Sequence, residues 1–253
     1  MKLRVWLNNK NRISPSISLF ITIALLFFFI PSSFGQQNNL SFHKWSLGPL
    51  VATNGLGIAS SFQLKRPNKN YNNQLHISLR TLKHDKEIKI QNPRFTNPKP
   101  YVYGKLNSAS VLNIGIARYK TLGLSSTFNP KFQIGVQLGP SLALTKPYYV
   151  YIHEEDDPHF NPITTTQTIE VLSAQESILG AANWSKGYNN LQVKGGFHID
   201  FNLQLSWDKI YRLQRLNIGA KADYFFNDLG ILHNNKNALF TTFYSTYQIG
   251  GNK

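Results

Sequence analysis

The sequence predicts an all-β protein: an antiparallel transmembrane β-barrel of about eight strands, placed after a cleaved signal peptide. Three observations carry this. Hydrophobicity alternates with a period of two along most of the chain, the alternating segments are long, and aromatic residues gather at their ends.

The first segment is a leader. Lys2, Arg4, Lys10 and Arg12 precede an apolar run at 17–30, and small residues follow at Ser33 and Gly35. A basic start, an apolar stretch of this length and a small-x-small site predict a secretory signal peptide over 1–35. The run falls short of the ~20 residues of a spanning helix. The barrel is then expected over 36–253.

The strands follow in order: 45–52, 56–65, 74–90, 101–120, 131–152, 190–207, 212–226 and 238–249. The clearest is "LQVKGGFHIDFNLQLSW" (191–207). Leu191, Val193, Phe197, Ile199, Phe201, Leu203, Leu205 and Trp207 share one face, while Gln192, Lys194, His198, Asp200, Asn202, Gln204 and Ser206 share the other. In 131–145 Phe132, Ile134, Val136, Leu138, Leu142 and Leu144 oppose Gln133, Gln137, Ser141 and Thr145. In 216–226 Leu216, Ile218 and Tyr224 oppose Asn217, Lys221 and Asp223, and in 74–80 Leu75, Ile77 and Leu79 oppose His76, Ser78 and Arg80. Residues 168–182 are the one place after the leader where a short surface helix fits the pattern.

Alternation alone suits a soluble sandwich or a ligand-holding barrel as well as a membrane barrel. Length, polar faces mixed with Gly and Ser, and aromatics at Trp45, Tyr101, Tyr103, Tyr148 to Tyr151, Trp207 and Tyr211 favour the membrane. Short turns are expected at 66–73, 121–130 and 208–211. Longer external linkers are expected at 91–100, 154–189 and 227–237, with a short hairpin at 53–55. Splitting 101–120 and 131–152 would raise the count to ten or twelve strands.

Charge and composition narrow the partners. Removing the four cations of the leader from the formal net charge of +15 leaves +11. For an exported chain the excess points to outer-membrane lipid and lipopolysaccharide, not to nucleic acid. The absence of cysteine excludes disulfides and thiolate metal sites. A monomer is expected, with no cofactor and with an envelope or extracellular partner as the remaining possibility.

The segments "YVYGKLNSASVLNIGIARYKTL" (101–122), "GPSLALTKPYYVYI" (139–152) and "NWSKGYNNLQVKGGFHIDFN" (183–202) resemble a family of uncharacterised outer-membrane β-barrel proteins of Bacteroidetes. There "YGKLN", "KPYY" and a Gly-containing strand near "FDF" recur in this order; here the last reads "FHIDF". The resemblance implies location and fold and brings no reaction with it. The end "YQIGGNK" departs from the terminal aromatic usual in proteobacterial barrels; Phe243 and Tyr247 are expected to serve as the insertion signal instead.

Candidate sites are few. Arg80, His198, Asp200, Lys221 and Asp223 fall on the polar face and are expected to form a lumen network, because buried charges need partners. Glu154, Glu155, Asp156 and Asp157, flanked by His153 and His159, form a weak metal candidate. Consecutive residues of an extended chain point in alternate directions and do not converge on one ion, so a solvated acidic loop is the expectation. His76 and Ser78 have the His-x-Ser spacing of lipid A deacylases, but Leu79 stands where Asn would follow, and both face the lumen, away from acyl chains. No Gly-x-Ser-x-Gly, His-Glu-x-x-His or phosphate loop occurs. The expected function is a structural or interaction role through external loops, without catalysis. A small porin or transporter with an open lumen is the alternative, and a lipid A-modifying hydrolase is a more remote one.

Overall fold

A strand whose two faces differ in polarity must separate two environments, and a closed sheet does this without leaving an unpaired edge. The computed structural model closes such a sheet. It describes residues 42–64, 71–95, 98–122, 130–153, 163–167, 177–208, 212–233 and 236–252. The leader lies outside them.

Eight long strands form the barrel: β1 (Phe42–Ala52), β2 (Gly55–Leu64), β3 (Tyr71–Leu82), β6 (Asn107–Leu122), β7 (Lys131–Pro147), β11 (Gln192–Asp208), β12 (Leu213–Phe225) and β13 (Leu239–Asn252). Their order around the wall is β1-β13-β12-β11-β7-β6-β3-β2. Every neighbouring pair is antiparallel, and the wall shuts where β1 meets β13, with Leu50 opposite Thr246. The chain is an eight-stranded closed antiparallel barrel, and the ten- or twelve-strand alternative is ruled out by that closure.

Among the described residues five short strands lie outside the wall: β4 (Lys89–Ile90), β5 (Tyr101–Val102), β8 (Tyr149–Ile152), β9 (Ile163–Thr166) and β10 (Ile178–Ala181). They correct three strand boundaries. The expected strand 74–90 stops at Leu82, where a turn follows; the Glu87 carboxylate accepts the His84 amide at 3.1 Å and the His84 ring accepts the Lys86 amide at 3.1 Å. The expected strand 101–120 is broken after Val102, because Gly104 has a φ of 72°, a left-handed conformation that glycine adopts without strain. The expected strand 131–152 ends at Pro147; the Tyr148 amide instead donates to the Leu106 carbonyl. A fourth correction concerns 168–182: residues 178–181 are extended and pair with β8, while 168–176 lie outside the described residues.

All connections of one kind fall at one end. The pieces at 65–70, 123–130 and 209–212 join strands at the turn end, which also holds both strand termini of the barrel. The hairpin at 53–54 and the connections 83–106, 148–191 and 226–238 stand at the loop end. β6, β7 and β11 are 16, 17 and 17 residues long, against 10 for β2. The wall is therefore taller on one side, and the loop-end strands rise from that side.

Candidate functional site

Alternation decides which side chains enter the barrel. Outward positions such as Leu56, Ile116, Phe201 and Phe243 are exposed and apolar; inward ones such as Gln74, Asn113, Gln137, Ser141 and Gln204 are buried and polar. Burial and polarity are thus inverted relative to a water-soluble protein.

The five expected lumen residues all lie inside, and the topology gathers them. Asp223 is the hub. Its Oδ2 accepts Arg80 Nη2 at 2.6 Å, and its Oδ1 accepts Asn113 Nδ2 at 2.6 Å and Ser141 Oγ at 3.0 Å. Arg80 also donates to Asn54 Oδ1 at 2.8 Å, so the short hairpin between β1 and β2 turns one side chain into the lumen. Asp200 and Lys221 stand opposite each other on β11 and β12, with Nζ 3.6 Å from Oδ2. The Tyr244 hydroxyl donates to the Asp200 carboxylate at 2.7 Å, and Lys221 Nζ sits 5.3 Å from the centre of the Tyr244 ring. Each carboxylate thus meets a cation and at least one further donor, which is what two buried charges need to offset desolvation.

Sequence reasoning missed Arg215, which occupies the same face as Asn217 and Lys221. Its guanidinium donates to Ser46 Oγ, Gln74 Oε1 and Gln63 Oε1 at 3.1 to 3.3 Å. It also missed Tyr119 and Tyr244. Their signal was indirect: each pairs across strands with an inward glycine, Gly135 and Gly219. A Cβ on Gly135 would fall into the Tyr119 ring, and one on Gly219 would lie 2.8 Å from the Tyr244 hydroxyl oxygen. The glycines leave the space that the tyrosines fill.

A cavity of about 20 Å³, room for about one water molecule, lies among Ser78, Gln137, Asp200, Lys221, Tyr244 and Gln248. Near the loop end the inward residues turn apolar. Leu82, Val111, Ala143, Phe225 and Phe240 of the wall pack against Val102, Leu229, Ile231 and Leu232 of the connections. Buried polar side chains thus line the middle and the turn end, and an apolar layer lies at the loop end.

The arrangement is unsuited to nucleophilic chemistry. Ser141, His198 and Asp223 are in contact, but the serine, not the histidine, stands in the middle. Its hydroxyl hydrogen goes to Asp223, so His198 Nδ1 donates to Ser141 Oγ at 3.1 Å and Nε2 accepts the Gln137 amide at 2.9 Å. No imidazole nitrogen is left to take the serine proton. His76 is held alike: Ser61 Oγ donates to Gln248 and accepts from Nδ1, while the Tyr119 hydroxyl donates to Nε2 at 3.0 Å. No hydrogen bond joins His76 to Ser78, and both lie inside the wall.

The loop end is built, not draped. β9, β8 and β10 form one small sheet and β4 with β5 another. Tyr101, Val150 and Ile178 form its core. Gln167 is buried and clamps the turn after β5, accepting the Gly104 amide at 2.6 Å and donating to the Val102 carbonyl at 2.7 Å. Asn92 Nδ2 donates to the Ile178 carbonyl at 2.9 Å, and Lys105 pairs with Glu87 at 2.6 Å. Burial pushes the Tyr148 phenol above the usual tyrosine range, although its oxygen accepts the Val102 amide. On the outer surface Ile88, Tyr103, Ile163, Trp184 and Tyr188 remain exposed, Trp184 at 78%. The acidic candidate Glu154, Glu155, Asp156 and Asp157 lies outside the described residues.

No protein-family model matches the sequence, and no curated protein matches it closely. Among solved structures the chain is similar to Ail, the attachment invasion locus protein of Yersinia pestis, at 7% identity and a TM-score of 0.39, covering 83% of this chain and 99% of that one. Ail in complex with the heparin analogue sucrose octasulfate gives a TM-score of 0.38. Neisserial surface protein A is similar at 9% identity and a TM-score of 0.38, over 84% of this chain and 96% of that one.

Proposed function

We propose that this chain is an outer-membrane barrel without catalytic activity, whose loop-end strands present an interaction surface outside the cell. The family resemblance and the leader read from the sequence belong to the same proposal. One observation carries it: the described interior holds a polar network around two paired carboxylates beneath an apolar layer, and Ile88, Tyr103, Ile163, Trp184 and Tyr188 stand exposed on and beside the short sheets at the loop end. The outward band of Leu, Ile, Val and Phe supports the membrane setting, since bilayer hydrocarbon solvates such a surface and water does not.

Fractionation tests the setting. The mature chain is expected in the outer-membrane fraction, and the folded form is expected to migrate differently on gels before and after heating. Recovery from the soluble periplasm without detergent overturns the reading. Planar-bilayer recording tests the interior: steady ion-selective channels would restore the porin alternative. Loss of lipid acyl chains that depends on His76 or Ser78 would restore the hydrolase.

A further inference from the structure

Charges on the outward face of a membrane barrel are costly near the bilayer centre and cheap only near its edge. Among the described side chains, the outward faces of the eight barrel strands carry three charges, Arg118, Lys120 and Lys146, and no acid. Lys146 stands at the loop end of β7. Its ammonium donates to the backbone carbonyls of Trp184 and Lys186 and lies 4.5 Å from the centre of the Tyr188 ring. Arg118 and Lys120 stand together near the turn end of β6, and no acidic group among the described residues pairs with either.

Their surroundings are apolar. Arg118 is opposite Val136 and Asn73, and Lys120 is opposite Ile134 and Tyr71. Ile116 on one side and Leu122 and Phe132 on the other are exposed on the same face. The Arg118 guanidinium lies 4.4 Å from the centre of the Tyr71 ring. Tyr71 is opposite Lys120, two residues nearer the turn end, so the arginine leans along the wall toward the aqueous edge, as a snorkelling side chain does.

The topology supplies no anion. Of the chain's 12 acids, Asp208 alone belongs to the turn end. The adjoining segments 65–70 and 123–129 contain no Asp or Glu, and the first contains Lys65, Arg66 and Lys69. The turn end is therefore a basic collar, and the excess positive charge of the chain collects there.

We propose that Arg118 and Lys120, backed by Tyr71 and Asn73, form a binding site for the phosphate of an anionic phospholipid in the leaflet at the turn end. The proposal rests on the membrane reading above. A phosphodiester at the bilayer edge meets two cations with five and three donors, while its acyl chains lie along Ile116, Ile134 and Val136. A zwitterionic lipid offers the same phosphate with a competing ammonium, and binds less well.

The test is native mass spectrometry of the refolded chain in nonionic detergent, titrated with phosphatidylglycerol or phosphatidylcholine. The same samples are run unheated on gels and reconstituted into vesicles. The parent is expected to retain phosphatidylglycerol over phosphatidylcholine, and the Arg118→Gln, Lys120→Gln double variant to bind it roughly twenty-five-fold more weakly, about fivefold for each cation. Equal retention of the two lipids, or a variant that matches the parent, overturns the proposal. Millimolar inorganic phosphate is expected not to displace the lipid; displacement would mark a free-phosphate site instead. Phosphatidylglycerol affinity of the parent is expected to fall as salt rises, and independence from salt overturns the proposal whether or not the variant folds. Failure to insert into vesicles sinks the membrane reading and this site with it. Insertion without lipid preference sinks this site alone.

Discussion

At the scale of the residue, two buried carboxylates organise the interior, each beside a cation and a further donor. Asp200→Ala removes the carboxylate from Lys221 and from the Tyr244 hydroxyl, leaving the ammonium with Asn113 Oδ1 at 3.4 Å. Breaking a buried pair in this way costs about 3–5 kcal/mol, which denaturant unfolding in detergent will measure. A silent result means that Asp200 is solvated and the interior wider than the structure allows. Ser141→Ala takes one donor from Asp223 and one acceptor from His198 and Asn113, at a cost of about 1–3 kcal/mol, with no change in lipid acyl chains. The polarity of these positions was legible because alternation by two assigns every residue a side. Which cation meets which acid was not: Arg80 and Asp223 are 143 residues apart and meet only when β3 and β12 face each other across the closed barrel.

At the scale of the element, packing across strands determines what alternation leaves open. Gly135→Ala is expected to destabilise the barrel by about 1–3 kcal/mol, because the new methyl group meets the Tyr119 ring between β6 and β7. Tyr119→Ala in that background is expected to recover part of the loss, and strict additivity of the two would deny the contact. Gln167→Ala removes both hydrogen bonds that hold the turn after β5. The expected outcome is faster protease cleavage of the connections 83–106 and 148–191 with the unfolding midpoint of the barrel unchanged, since the β8–β9–β10 sheet contributes no wall strand. The short strands escaped the sequence reading for a physical reason. Two to four residues show too little alternation to separate them from the long strands that they continue, and the break at Gly104 depends on a backbone angle.

At the scale of the whole molecule, charge is sorted by end. Neutralising the acidic stretch by Glu154→Gln, Glu155→Gln, Asp156→Asn and Asp157→Asn is expected to leave folding and insertion intact, because adjacent like charges repel and gain nothing from one another. A Ca²⁺-dependent gain in stability that the parent shows and this variant loses would make the stretch a cation site. The opposite end has a single acid, Asp208, among many bases, so the two ends of the barrel carry unequal charge.

The sequence by itself determined the period, the presence of long strands and the chemistry of each face, because side-chain direction in a strand depends only on parity. From these follow an all-β barrel with an apolar exterior and the inward placement of Arg80, His198, Asp200, Lys221 and Asp223. Tertiary structure fixed the strand count at the eight that the sequence led one to expect, and excluded ten or twelve, through the pairing of β1 with β13. It also decided that the loop end is shut by Phe225, Phe240 and their neighbours, and that the long connections are built into sheets. It left Arg118 and Lys120 as an acid-free pair on the outward face. Each of these depends on contacts between segments far apart in the chain, and no local pattern encodes a partner that only closure brings near.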